Sequence, residues 1–73
     1  MATLSPQKQA GETLRYLIKR DYSTQQDFAD ERYMDIRTVN RYINEGINKI
    51  DVIQDLADWF DVDFAYFFVS HEE

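Results

Sequence analysis

The 73-residue chain has no cysteine, a single histidine, one proline and two glycines. Without cysteine there is no disulfide scaffold and no thiolate-bound metal. The lone histidine, His71, sits near the C-terminus and has no nucleophile or carboxylate pattern around it. No glycine-rich phosphate loop or facing carboxylate pair is visible either, so an enzyme is not expected and no cofactor or metal is implied. Long apolar runs are also missing. The longest, Phe64 to Val69, falls far short of the ~20 residues that span a bilayer. Nothing at the N-terminus resembles a signal peptide, and the expectation is a soluble cytoplasmic protein with no membrane partner. A last scarcity is positional: no Lys or Arg follows Lys49.

What remains is rich in core-forming residues. Hydrophobic side chains make up 44% and aromatic ones 15%, enough for a packed interior rather than disorder. The length suits one domain over residues 1–73, with an ordered core at about 5–69. A chain this small is marginally stable unless it packs well or dimerises. Its net charge of −6 opposes binding to phosphates, which is mainly cationic. The charge is unevenly spread, however. Residues 1–31 net −1, residues 32–49 net +2 and residues 50–73 net −7. One positive stretch with an acidic remainder fits a protein with one DNA-facing side.

Periodicity predicts helices throughout. Ser5-Pro6 is an N-cap followed by proline at the first helical position, and Ala10, Leu14, Leu17 and Ile18 form one apolar stripe. That helix should span about residues 6–20. Gly11 inside it costs ~1 kcal/mol relative to alanine, which a close neighbour would explain. Thr24-x-x-Asp27 reads as a capping box for a second helix burying Phe28 and Ala29. Small Ala29 would let the next helix approach. Met34 would plug a corner, and Asp35 would cap a third helix burying Val39, Tyr42 and Ile43. Gly46 suits a left-handed C-terminal cap. A fourth helix should bury Ile50, Ile53, Leu56, Ala57 and Phe60, with Val52 and Trp59 on an adjoining side. Asp63 would cap a short fifth helix containing Phe64, Phe67 and Phe68, and Ser70–Glu73 would fray.

The outer side of the third helix carries Arg37, Thr38, Asn40, Arg41 and Asn44, the side-chain types that reach DNA phosphates and base edges. Along the chain come Gly11-Glu12-x-Leu14-Arg15-x-Leu17, Thr24-Gln25-Gln26-Asp27-Phe28-Ala29, Thr38-Val39-Asn40-Arg41-Tyr42 and Leu56-Ala57-x-x-Phe60-x-Val62-x-Phe64-x-x-Phe67-Phe68. In that order and at nearly those spacings the pieces resemble the lambda-repressor-like, Xre-type helix-turn-helix family, over roughly Gln9 to Val69. The resemblance implies a compact all-α, five-helix lambda-repressor-like domain with the helix-turn-helix in helices two and three. It also implies roles. Thr24, Gln25 and Gln26 would clamp phosphates at a helix N-terminus. Arg37, Asn40, Arg41 and Asn44 would lie in or beside the major groove, and Asn48 and Lys49 would touch the flanking backbone. Two features depart from the family pattern. Tyr33 stands where the corner usually has glycine, either strained in a left-handed conformation or packed beside Met34, and the apolar neighbour favours packing. Gly46 comes one residue late, and the fourth helix follows sooner.

The function expected is a sequence-specific regulator of transcription, a repressor rather than an activator, binding double-stranded DNA as a homodimer on a two-fold operator. The aromatic cluster Trp59, Phe60, Phe64, Tyr66, Phe67 and Phe68 exceeds what five short helices easily bury; core packing is its plainer reading, and Trp59, Phe64, Phe67 and Phe68 are the expected dimer face. Likewise, Arg and Asn on a helix surface are commonly just solvated, and Asp51, Asp55, Asp58 and Asp61 most simply form a solvated face. The alternative is a protein-interaction module of the same fold, antirepressor- or antitoxin-like, working through its acidic or aromatic C-terminal surface.

Overall fold

Ser5 starts the first helix as its sequence predicts: its hydroxyl accepts from the Lys8 N–H at 3.3 Å, with Pro6 in the first turn. A computed structural model describes residues 5–69 of the chain. The described residues form α1 (Pro6–Asp21), α2 (Gln25–Arg32), α3 (Ile36–Glu45) and α4 (Ile50–Phe60), followed by a single 3-10 turn at Phe64–Phe68. There are thus four α-helices rather than five. The expected frayed tail and His71 lie outside the described residues.

The last segment is five residues long, and α1 side chains tie down its end: the Thr13 hydroxyl donates to Phe67 O at 3.2 Å, and Gln9 donates to Val69 O, just past it, at 2.9 Å. Phe64 and Phe67, three residues apart, then share one edge of the tighter helix. Phe67 is completely buried within its own chain, which corrects its expected place on a dimer face.

The core gathers Ala10, Leu14, Leu17 and Ile18 from α1 with Phe28 and Ala29, Val39 and Ile43, and Ile53, Leu56, Ala57 and Phe60. Phe28 stacks on Phe60 at 5.5 Å between centroids, and Tyr22 meets Phe28 edge-on at 5.4 Å. Burying each of the two phenylalanine rings contributes roughly 1.5–3 kcal/mol. Ile50 is not part of this core. As the first residue of α4 it projects past it and is 72% exposed, while Ile47 is buried instead. The Ile47 N–H is bonded to Gln7 O at 2.9 Å, and that anchor fixes the loop against α1.

The corner between α2 and α3 overturns the packed reading of Tyr33. Its backbone is left-handed (φ 57°, ψ 42°) and its side chain is 97% exposed. Met34 is half-buried against the core, and its N–H bonds Ala29 O at 2.8 Å. The corner therefore keeps the geometry that a glycine serves best, with a tyrosine in it.

Candidate nucleic-acid interface

The register of α3 sorts its residues cleanly. Val39 and Ile43 are buried, with Ile36 and Tyr42 partly so, which turns Arg37, Asn40, Arg41 and Asn44 to solvent along one stripe. Thr38 is half-buried beside them. Four of the expected base-reading residues thus share one exposed face.

Their engagement differs. Arg37 grips its own helix cap: Nη2 lies 2.9 Å from Asp35 Oδ2 and Nε 3.2 Å from Oδ1, while Asp35 also accepts the Arg37 N–H at 2.8 Å. These bonds hold the Asp35 carboxyl below its ordinary range, the Arg37 side-chain bond being the main cause. The pair is open to water and weak, so Arg37 can leave it. Arg41 has no ion pair or hydrogen bond with any described residue; it lines a cleft of about 530 Å³ with Tyr42, Glu45, Asn48 and Lys49. Sequence reasoning missed Lys8. Its ammonium donates to Asn44 O at 2.7 Å, placing a cation at the C-terminal end of α3 where the helix dipole favours one. The only advance signal was its spacing on α1, which says nothing of α3.

At the start of α2, the Thr24 hydroxyl accepts from the Asp27 N–H at 3.1 Å, so the side chain of Thr24 caps the helix. The N–H groups of Gln25 and Gln26 lack a side-chain cap. Gln25 is half-buried, and the Gln26 amide is turned along the helix to Asp30 Oδ1 at 2.8 Å. Asp27, in the first turn, is also exposed, so this end of α2 is less welcoming to a phosphate than its amide groups alone would make it. Asn48 and Lys49 are exposed between α3 and α4, and Lys49 precedes α4 without a side-chain cap bond.

The remaining aromatics divide between two places. Phe64 is half-buried, and its ring packs 5.2 Å from that of the more exposed Phe68. Trp59 stands apart from them with partners of its own. Its Nε1–H donates to the Tyr22 hydroxyl at 3.0 Å, and the Arg32 guanidinium lies 4.8 Å above its ring. Tyr22 in turn donates to Glu31 Oε1, and burial followed by that bond pushes its phenol above the ordinary value. The four expected dimer residues therefore do not make one patch.

Among the described residues no cluster of three His, Cys, Asp or Glu is placed to hold a metal ion, and no helix is long and apolar enough to cross a membrane. Comparison of the chain with protein-family models, curated proteins and solved structures gave no significant match.

Proposed function

We propose that the chain is a sequence-specific DNA-binding regulator of the lambda-repressor-like, Xre type, acting as a repressor by laying α3 in the major groove. The observation that carries this reading is the exposed row Arg37, Asn40, Arg41 and Asn44 on a helix whose other side is locked into the core. Arginine can bond guanine in a bidentate manner and asparagine can do the same for adenine. The corner at Tyr33 sets α2 beside that helix, with the uncapped N–H groups of Gln25 and Gln26 available to a phosphate. Lys8, Arg41 and Lys49 supply positive charge at the far end of α3. Two copies on a two-fold operator would hold their α3 helices about 34 Å apart, one turn of DNA.

A second reading has its own support. Asp51, Asp55 and Asp58 stand exposed along α4, which suits an interaction module with a basic protein partner. Selection from random duplex DNA at about 50 mM salt separates the two, because low salt favours every phosphate contact. Enrichment of a common sequence is expected. If no duplex is enriched under that condition, the DNA-binding reading fails.

A further inference from the structure

We infer that the cleft at the end of α3 binds a small phosphate ester with free ribose hydroxyls, of the chemistry shared by ribonucleotides and ribose phosphates. Its volume of about 530 Å³ falls in the range of small-molecule sites. Three separate parts of the fold wall it. Arg41, Tyr42 and Glu45 come from α3, Asn48 and Lys49 from the segment before α4, and Gln7 from α1. These walls are fixed by the fold itself: the Ile47 N–H is bonded to Gln7 O at 2.9 Å, and Lys8 donates to Asn44 O at 2.7 Å.

The charges in the cleft are left unpaired. Arg41 and Glu45 stand one helical turn apart, the spacing at which opposite charges ordinarily meet. Among the described residues the ion pairs are Glu12 with Arg15, Arg20 with Asp21 and Asp35 with Arg37, and none includes Arg41, Glu45 or Lys49. Two cations and a carboxylate thus share one concave surface without neutralising one another. The cations suit a phosphate: the arginine fork meets two of its oxygens and the lysine ammonium a third. Glu45 selects what that phosphate is attached to. A carboxylate only accepts hydrogen bonds, so it pairs with hydroxyls, as acidic residues do with ribose in dinucleotide sites. The deoxyribose backbone of DNA has no such hydroxyl to give, and Glu45 repels its phosphates. A small ribose phosphate engages all three charges. The amides of Gln7 and Asn48, each both donor and acceptor, complete the lining and match the polar edge of a base. Because Arg41 also belongs to the proposed DNA-reading row, ligand and duplex exclude each other. That last step rests on the DNA-binding reading; the ligand site itself does not.

The test titrates the isotope-labelled full chain, without DNA, against adenosine monophosphate, ribose phosphate, deoxyadenosine monophosphate and inorganic phosphate. Adenosine monophosphate should move the amide signals of Gly46, Asn48 and Lys49 with a dissociation constant of about 0.1–1 mM. Its deoxyribose analogue should bind about fivefold more weakly, and inorganic phosphate more weakly still. Ribose phosphate separates the two sources: affinity equal to that of the nucleotide marks a sugar phosphate as the ligand, and lower affinity a nucleotide. Arg41→Ala and Lys49→Ala should each cost about tenfold in affinity. Both side chains are exposed, so the melting temperature should change little. Glu45→Gln should erase the preference for ribose while binding inorganic phosphate more tightly than the wild type. A disturbed fold does not produce that crossed effect. No amide shift at about 10 mM nucleotide would overturn the inference, as would equal affinity for the nucleotide and inorganic phosphate. Adding adenosine monophosphate to the complex with the selected duplex should release the wild type and release Glu45→Gln less. Nucleotide binding by a chain that enriches no duplex leaves this inference standing and removes the DNA reading. A duplex bound by a chain indifferent to nucleotides does the reverse.

Discussion

Gly11 and Gly46, the two glycines of the chain, meet where α1 crosses α3: a Cβ built on Gly11 would lie 3.3 Å from the Gly46 Cα and 2.4 Å from Tyr42 O. The atoms it would strike are backbone and cannot swing aside. Replacing a helical glycine by alanine ordinarily gains ~1 kcal/mol of helix propensity. Here the overlap outweighs that gain, because α1 and α3 must part and the bonds Ile47 N–H to Gln7 O and Lys8 to Asn44 O loosen with them. Gly11→Ala should lower stability by about 1–3 kcal/mol, the range for overpacked sites. Urea titration followed by circular dichroism measures it. An alanine variant more stable than wild type would mean the two helices do not cross this closely.

Tyr33 should respond in the opposite direction. It holds φ 57° with its ring in water, so its side chain contributes almost nothing to set against the steric cost of the left-handed backbone. Tyr33→Gly removes that cost but adds freedom to the unfolded chain, and the net gain should be about 1 kcal/mol. Tyr33→Asn, better suited to this region than most residues, should gain less. A rise of several degrees in the melting temperature is the expected readout for a domain of this size. A clear loss of stability in Tyr33→Gly would show that the ring packs against something after all.

These two sites mark how far the sequence could be read. The α1 stripe, the Ser5, Thr24 and Asp35 caps and the outward row on α3 follow from local spacing, and a helix repeats that spacing faithfully in space. The need for Gly11 was legible as a close neighbour, though not which one. Ile50 and Ile47 exchanged roles because periodicity assigns a face without saying how far the core extends past a helix end; the bond from Ile47 to Gln7, forty residues away in the chain, decides that. Phe67 and Trp59 looked alike as surplus aromatics. Only the tertiary positions of Thr13 and Tyr22 separate a buried ring from one on the surface. At the candidate interface, residue types were legible and their engagements were not, as the pairing of Arg37 with Asp35 shows.

The Tyr22 phenol makes a pH prediction. Its pKa in the folded chain is raised above 10.0, first by burial and then by its bond to Glu31. A raised pKa means the folded state holds the proton more tightly than the unfolded one. The corresponding stabilisation is complete below the unfolded value and is lost as pH rises through the folded one. Stability should therefore fall above about pH 10, and Tyr22→Phe should lose less over the same interval. At neutral pH that variant should be less stable by ~1 kcal/mol for the lost hydroxyl, with a changed Trp59 emission because the indole N–H loses its acceptor. Equal alkaline slopes in the two proteins would refute this account.

The sharpest expectation concerns Arg41 against Arg37, two arginines on one stripe in different electrostatic circumstances. Arg41 has no described partner to surrender, so a contact with DNA is added without a loss elsewhere. Arg37 must leave a bidentate bond to Asp35, and the exchange of one charged partner for another returns little. Arg41→Ala should weaken binding to the selected duplex by roughly 1–3 kcal/mol, and Arg37→Ala by clearly less. Asn40→Ala should relax preference at one operator position more than it lowers affinity. Gln25→Ala, beside the uncapped start of α2, should weaken all sequences alike. Fluorescence anisotropy at several salt concentrations distinguishes these effects: affinity should fall steeply with salt, and removing a phosphate contact should flatten the slope by about one counterion. If Arg37→Ala proves the more damaging substitution, the Asp35 pair is broken on DNA and Arg37 is the principal reader; if both are silent on a duplex that binds, α3 is not the reading helix.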